Sequence, residues 1–495
     1  MKSVLKYSLI VLLAGGSLAS CKKSFLDKKP YTSNNLSTAI QTENDMKVAV
    51  AGMYSALRGT DVFARSVTVK GDLMADNTFV TTSNSGRYIS VNNCAFNNGD
   101  AYAAGLWSGA YVIIKYANTI INSTLTANAN ITQYQGEAYA IRALMHFELV
   151  RNFATPYTVD KTKPGIPIVT TFDQDSKPAR NTVAEVYASV IADLEKAYTM
   201  LTQYRGTAYM SKYAARALEA RVYQNMGDWP NAKTTSLDVI NNSGWTMLAP
   251  AAYVAPTGSL GTSGSSTSNT YSPGGYWANA VVQASSKNET LFEVACDLTS
   301  NNGFDQIGFI YLQVGGGYGD ILATDGLYNM YSATDVRKGL IPQAPAGYRS
   351  GQAGNINLCY KYPNPANGAD KDDIKLVRLS DIILIAAEAY YNAGDFTNAN
   401  LYANMVAQKR DPAFTGYVNT GAAVLDDILN ERRKELAFEN SRLWDLLRLQ
   451  KSWTKIKNQN PLTTVAAAPG SIFLLYPIPV SELNANPNIA QNPGY

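Results

Sequence analysis

The sequence predicts a mostly α-helical protein of repeated helical hairpins, interrupted by a loop-rich insertion that contains short strands. Three observations carry that expectation. One hairpin signature occurs twice, a long stretch has the three- and four-residue spacing of an amphipathic helix, and half of the glycines crowd into about a quarter of the chain. With 46% hydrophobic and 16% charged residues over 495 positions, the composition is that of a large globular body, not of a disordered chain or a bundle of membrane helices.

The first element is a leader. Lys2 and Lys6 precede an apolar run over 7–14, too short for a bilayer crossing of about 20 residues, so 1–20 reads as a signal peptide. Leu18-Ala19-Ser20-Cys21 then resembles the lipobox of bacterial lipoproteins, which makes Cys21 the expected point of lipid attachment. Setting the two leader lysines aside lowers the net charge from +3 to +1, and a chain so close to neutral offers no electrostatic case for nucleic acid. Cys94, Cys296 and Cys359 remain. At most one disulfide can form among them, their spacing fits no zinc pattern, and buried small hydrophobes are the expectation.

Across 131–153, Tyr139, Arg142, Ala143, His146, Phe147 and Val150 recur at helical steps, and the pattern stops before Thr155-Pro156. His146 is the only histidine in the chain, which rules out a multi-histidine metal site. Its place on the apolar stripe makes it a packed, hydrogen-bonded side chain, not a catalytic base.

The hairpin signature follows. Ala220-x-x-Tyr223 with Gly227-Asp228-Trp229-x-x-Ala232 recurs as Ala387-x-x-Tyr390 with Gly394-Asp395-Phe396-x-x-Ala399, at a constant offset of 167 residues. Small residues let two helices approach, tyrosine fills the groove between them, and Gly-Asp ends one helix and caps the next. The pattern resembles the tetratricopeptide repeat, with Ala232 and Ala399 at the small position of the second helix. Ser236 and Ala403 stand where a large apolar residue is expected, so the repeats are degenerate. Trp229 and Trp444 sit in helical patterns and read as packing residues.

Between the two hairpins, 244–375 holds 18 of the 36 glycines. Short strands are expected at Thr290–Ala295 and Phe309–Val314. The block carries little recognisable chemistry. Gly315-Gly316-Gly317-Tyr318-Gly319-Asp320 fails the dinucleotide fingerprint because Asp320 replaces the third glycine, and no phosphate-binding Gly-Lys-Ser/Thr loop exists. Asp370-Lys371-Asp372-Asp373 has oxygen ligands suited to calcium but lacks the glycine of a helix-loop-helix site, and reads as a solvated turn.

The C-terminal third, 376–495, contains Glu431-Arg432-Arg433-Lys434-Glu435 on a helix whose stripe includes Leu425, Ile428, Leu429 and Leu436. Arg432 falls on that stripe and needs a buried acid. Glu435 is nearest in sequence, with Glu439 and Asp445 behind it.

Taken together, several segments carry a resemblance. They are Cys21-Lys22-Lys23-Ser24-Phe25-Leu26-Asp27 with Pro30, Gly71-Asp72-Leu73-Met74-Ala75-Asp76-Asn77, Trp107 with Tyr111 and Asn118, and Arg142-Ala143. The later ones are Arg378-Leu379-Ser380-Asp381 with Glu388-Ala389, Glu431 to Glu439 with Trp444-Asp445-Leu446, Tyr476-Pro477-Ile478-Pro479, and Gln491-Asn492-Pro493-Gly494-Tyr495. In this order they resemble the SusD/RagB family of nutrient-binding outer-membrane lipoproteins of Bacteroidetes, with the match weakest across 244–375. The resemblance implies four tetratricopeptide-like units, split into an N-terminal helical part over 21–243 and a C-terminal one over 376–495 and wrapped by the 244–375 insertion. It implies no enzymatic activity, no cofactor and no metal. It also implies capture of a glycan, or of a peptide in RagB-like members, for import through a SusC-like TonB-dependent transporter, by a protein lipid-anchored on the outside of the outer membrane. A glycan hydrolase on the same scaffold is the second function class, because a fold does not fix an activity.

The family's ligand residues vary, so candidates come from position and type. Sugars present apolar C–H faces to aromatic rings and hydroxyls to polar edges. Trp277, after Pro273-Gly274-Gly275, is the leading candidate, with Tyr271, Tyr276, Phe304 and Tyr318 in the insertion and Tyr88 and Asn92 after Asn77.

Overall fold

The computed structural model describes residues 39–173, 175–278, 288–349, 352, 354–364, 372–459, 462–471 and 474–495. The expected signal peptide over 1–20, Cys21, Asp370 and Lys371 lie outside the described residues.

Helices α1 (Glu43–Ala56), α2 (Ser66–Leu73), α3 (Ala101–Ile121), α4 (Ala129–Phe153), α5 (Val183–Met200), α6 (Lys212–Met226), α7 (Trp229–Asn242), α8 (Leu379–Asn392), α9 (Phe396–Arg410), α10 (Ala422–Glu435) and α11 (Arg442–Arg448) form the scaffold. From α3 to α10 each packs on the next, and α1 packs on α3. The contact between α7 and α8 is the telling one: the whole insertion is looped out between two helices that lie side by side. Their starts follow capping chemistry. Asp100, Asn128, Thr182, Ser211, Asp228 and Asp395 each accept a backbone N–H from the first turn.

The two hairpins, α6–α7 and α8–α9, turn in the same way. Gly227 and Gly394 are left-handed, at φ 72° and 76°. Asp228 N donates to Tyr223 O at 3.0 Å, and Asp395 N donates to Tyr390 O at 3.0 Å. These bonds satisfy the last carbonyls of the first helix while the aspartate caps the second. Ala232 and Ala399 are fully buried, as are Ser236 and Ala403, which leaves no room for the large residue of the consensus.

Strands are short and antiparallel. β1 (Thr78–Val80), β3 (Ile321–Ala323), β5 (Ile356–Asn357) and β4 (Gln343–Ala344) make one sheet in the order β1-β3-β5-β4. β2 (Thr290–Val294) pairs with β6 (Ile374–Arg378), and β7 (Trp453–Gln459) pairs with β8 (Leu462–Ala467). The strand expected at Thr290–Ala295 is β2. The one expected at Phe309–Val314 is instead a helical turn over Ile307–Tyr311 followed by a 3-10 turn over Val314–Gly316. Phe309, Ile310 and Tyr311 are buried on every side, so the apolar run had no alternation to separate strand from helix. Tyr318 and Gly319 donate back to Phe309 O and close the segment on itself.

One hydrophobic core runs from Met46 to Ile489, with a satellite of Ala387, Ala399, Ala403, Val424 and Ile428. Within it lies a chain of buried ion pairs. Glu435 contacts Arg410, Arg378 and Arg337, which hold its carboxyl well below the usual range, and Glu289 pairs with Arg378 and Arg410. Glu435 is therefore not the partner of Arg432. Arg432 reaches Asp445 at 2.9 Å and Asp381 at 2.8 Å, because its side chain leaves α10 toward α8 and α11 and not along its own helix. His146 is buried, accepts from Val169 N at 3.4 Å, and is pushed down to about 3 by burial and the Arg142 guanidinium, so it is neutral.

Candidate ligand-binding site

Two loops meet beside β1. Thr81 N donates to Asp320 O at 2.9 Å, Ser85 N donates to the Asp320 carboxylate at 3.1 Å, and Ser85 Oγ donates to the same group. Arg349 lies across both loops, donating to Ser83 O and Gly319 O. Asp320, the residue that breaks the dinucleotide fingerprint, is thus the clamp that joins them.

On the outside of this joint stand Tyr318 and Phe304. The Arg87 guanidinium lies 3.8 Å over the Tyr318 ring and donates to its hydroxyl at 3.0 Å. Phe304 is 56% exposed and leans on the buried Phe309 ring at 4.9 Å. Gly316 sits beneath it, left-handed at φ 84°, and a side chain there would meet the Phe304 ring at 3.7 Å. Next to Phe304, Asp305 accepts from Arg65 Nη1 at 2.6 Å. The two residues meet through Phe309, against whose ring Phe304 leans and to whose carbonyl Tyr318 N donates, making a ledge on which the exposed Phe304 ring can stack an apolar face while the Arg87–Tyr318 pair and Asp305 offer polar edges.

The other candidates lie elsewhere. Trp277 and Tyr276 are 3% exposed, inside a cluster with Tyr253 and Tyr362, and three cations face the indole ring: Lys361 at 4.5 Å, Lys375 at 5.3 Å and Arg378 at 5.4 Å. The expectation of a surface tryptophan is corrected: Trp277 is buried by residues distant in sequence, which no local stripe reveals. Tyr88 and Asn92 are likewise interior. Tyr88 is stacked on Tyr102 at 4.6 Å and accepts from Arg65 Nε at 2.9 Å. It supports the ledge from below through Arg65. Asn92 accepts from Val80 N at 3.1 Å and Lys455 Nζ at 3.2 Å. Tyr271 is half-buried, donates to Gly339 O at 2.6 Å and packs edge-on against Tyr360. Asp372 does not sit in a solvated turn either: it is buried and accepts from Asn364 N at 2.9 Å. Arg87 was missed, and the one signal available was its place in a Ser-Gly-rich segment next to Tyr88.

Comparison with known proteins follows the same architecture. The SusD-like model described as starch-binding and associating with the outer membrane matches residues 24–224, and the SusD family model matches residues 259–495. A SusD-like protein of Formosa agariphila is 27% identical over 99% of both chains, and one of Bacteroides ovatus is 24% identical over 90% of this chain and 83% of its own. A putative sugar binding protein from Bacteroides vulgatus superposes with a TM-score of 0.79 at 28% identity, covering 92% of this chain and all of that one. A SusD superfamily protein from Bacteroides thetaiotaomicron superposes at 0.78 with 26% identity, covering 91% and 100%. Two family matches that together leave only residues 1–23 and 225–258 uncovered, with relatives aligned end to end, place the chain in the SusD/RagB family.

Proposed function

We propose that the protein is a non-catalytic, glycan-binding lipoprotein of the outer membrane, anchored through Cys21, facing the exterior and handing oligosaccharide to a SusC-like TonB-dependent transporter. The observation that carries the reading is the ledge of Phe304 and Tyr318, an exposed ring and a half-buried one on clamped loops, in a family whose structural relatives include a putative sugar binding protein. Phe304 and Tyr318 stack on sugar faces, Arg87 and Asp305 bond hydroxyls, and Tyr271 lines an adjoining tyrosine group with Tyr348 and Tyr360. Among the described residues no helix is long and apolar enough to cross a membrane, which fits attachment by lipid.

Incubation with candidate polysaccharides tests the reading. Retardation of the protein in a polysaccharide gel, without new reducing ends, is the expected result. New reducing ends would make the protein a hydrolase, and retention by peptides alone would make it a RagB-like peptide binder. Protease treatment of intact cells should cut the protein; full protection would overturn the external placement.

A further inference from the structure

A second concavity lies on the helical scaffold, away from the insertion loops. The end of α5, the connection after it, the start of α6 and Trp245 enclose a groove of about 540 Å³, room for one or two sugar rings. Its walls are aromatic. Tyr204 is 39% exposed and stands edge-on to Trp245, ring centroids 5.4 Å apart at 87°. Trp245 is itself fixed, donating from Nε1 to Thr290 O at 2.7 Å. Tyr213 lies edge-on to Tyr198 at 6.4 Å. The connection is rigid because the buried Gln133 side chain accepts from the backbone N–H groups of Thr202 and Gln203, both at 3.1 Å.

The groove also carries an uncommitted charge. Lys212 lies 4.6 Å over the Tyr198 ring, and among the described residues it makes no ion pair. Its neighbour Arg216 is fully engaged with Glu219 and Asp238. An ammonium on a half-buried lysine, in a groove that also exposes the Tyr204 ring and without an ion pair among the described residues, favours an anionic group from outside.

We propose that this groove is a second saccharide site, selective for a sugar that bears a carboxylate: the C–H face of the ring stacks on Tyr204 and the carboxylate pairs with Lys212. It rests on α5 and α6 and not on the ledge, so the two sites stand or fall separately.

Calorimetric titration of the full-length protein with tri-galacturonate and tri-mannuronate tests this, with neutral galactotriose for comparison. At least one acidic trimer should bind, and Lys212→Gln should weaken it by roughly tenfold while leaving the melting temperature unchanged. Tyr204→Ala should cost a similar factor, and a Phe304→Ala/Tyr318→Ala double variant should retain this binding. Failure of both acidic trimers to bind, binding indifferent to Lys212→Gln, equal affinity for galactotriose, or loss of binding in the double variant would each overturn the proposal.

Discussion

Arg432 donates to Asp381 at 2.8 Å across 51 residues of sequence, and with its other face to Asp445 at 2.9 Å. Its neighbours diverge. Glu431 pairs with Arg337 of the insertion at 2.6 Å, and Arg433 bonds Asn77 at 2.7 Å and Asp76 at 3.2 Å. Three consecutive residues of α10 thus fasten the insertion, α8 with α11, and the segment after α2.

Removing Arg432 takes one guanidinium away from two buried carboxylates, leaving Asp381 to Arg221 and Asp445 to Arg448. Arg432→Met should therefore cost about 3 kcal/mol, and the double change Arg432→Met/Asp381→Asn should cost clearly less than the sum of the two single changes. Urea unfolding of the four variants in the cycle measures both.

Gly71 is a position where a methyl group has nowhere to go. A Cβ there would stand 2.7 Å from the Asn440 Cα, against a backbone already held at positive φ at Phe438 and Asn440. Gly71→Ala should lower stability by about 1–3 kcal/mol in thermal or urea unfolding, with the fold retained.

Lys70 is buried, donates to Asn152 at 2.6 Å and lies 3.5 Å over the Tyr476 ring. Desolvation pushes its amine down to about 7, despite acidic neighbours that favour the charge, against an ordinary value of 10.5. Between these two values the unfolded chain holds a proton that the folded chain has released, so folding gains stability as pH rises through that window. Below pH 7 both states are charged and the gain is absent. Relative to Lys70→Met, the wild type should gain about 1.4 kcal/mol per pH unit within the window. Parallel unfolding series at pH 6, 8 and 9 provide the comparison; a constant difference would show that the amine stays charged in the fold.

The aromatic residues should separate into two classes. Phe304→Ala and Tyr318→Ala should each weaken glycan retention by roughly five- to tenfold with little change in melting temperature, because Phe304 is exposed and Tyr318 is only half-buried. Trp277→Ala should cost about 3–5 kcal/mol of stability, since the indole fills the core between Tyr253 and Tyr362.

Periodicity and turn chemistry made the helices legible. The two Gly-Asp turns have the same left-handed glycine and the same capping bond, and α4 ends before Pro156 as its pattern requires. What sequence spacing left out was contact between distant segments. Of the acids within reach in sequence, Asp445 on α11 does bind Arg432 while the nearer Glu435 does not, and the second acid, Asp381 on α8, lies 51 residues away. Trp277 lacked a local stripe to bury it and was buried nonetheless, by tyrosines from both ends of the insertion and by lysine and arginine stems. The ledge was half legible for the same reason: Phe304 and Tyr318 were visible as loop aromatics, while Arg87 joins them only because Asp320 and Arg349 clamp two loops over 230 residues apart.

Because α7 and α8 touch, the insertion over 244–375 leaves and rejoins the scaffold at a single seam, in the manner of an exchangeable cassette. On the C-terminal part the cassette is keyed by three studs: Glu289 fits between Arg378 and Arg410, Arg337 between Glu431 and Glu435, and Lys361 against Glu439. A transplanted insertion must bring an acid and two bases to those sockets, whereas the exposed Phe304 side chain answers to no such key. Ligand preference can therefore be rewritten at the rim while the lock that seats the insertion stays the same.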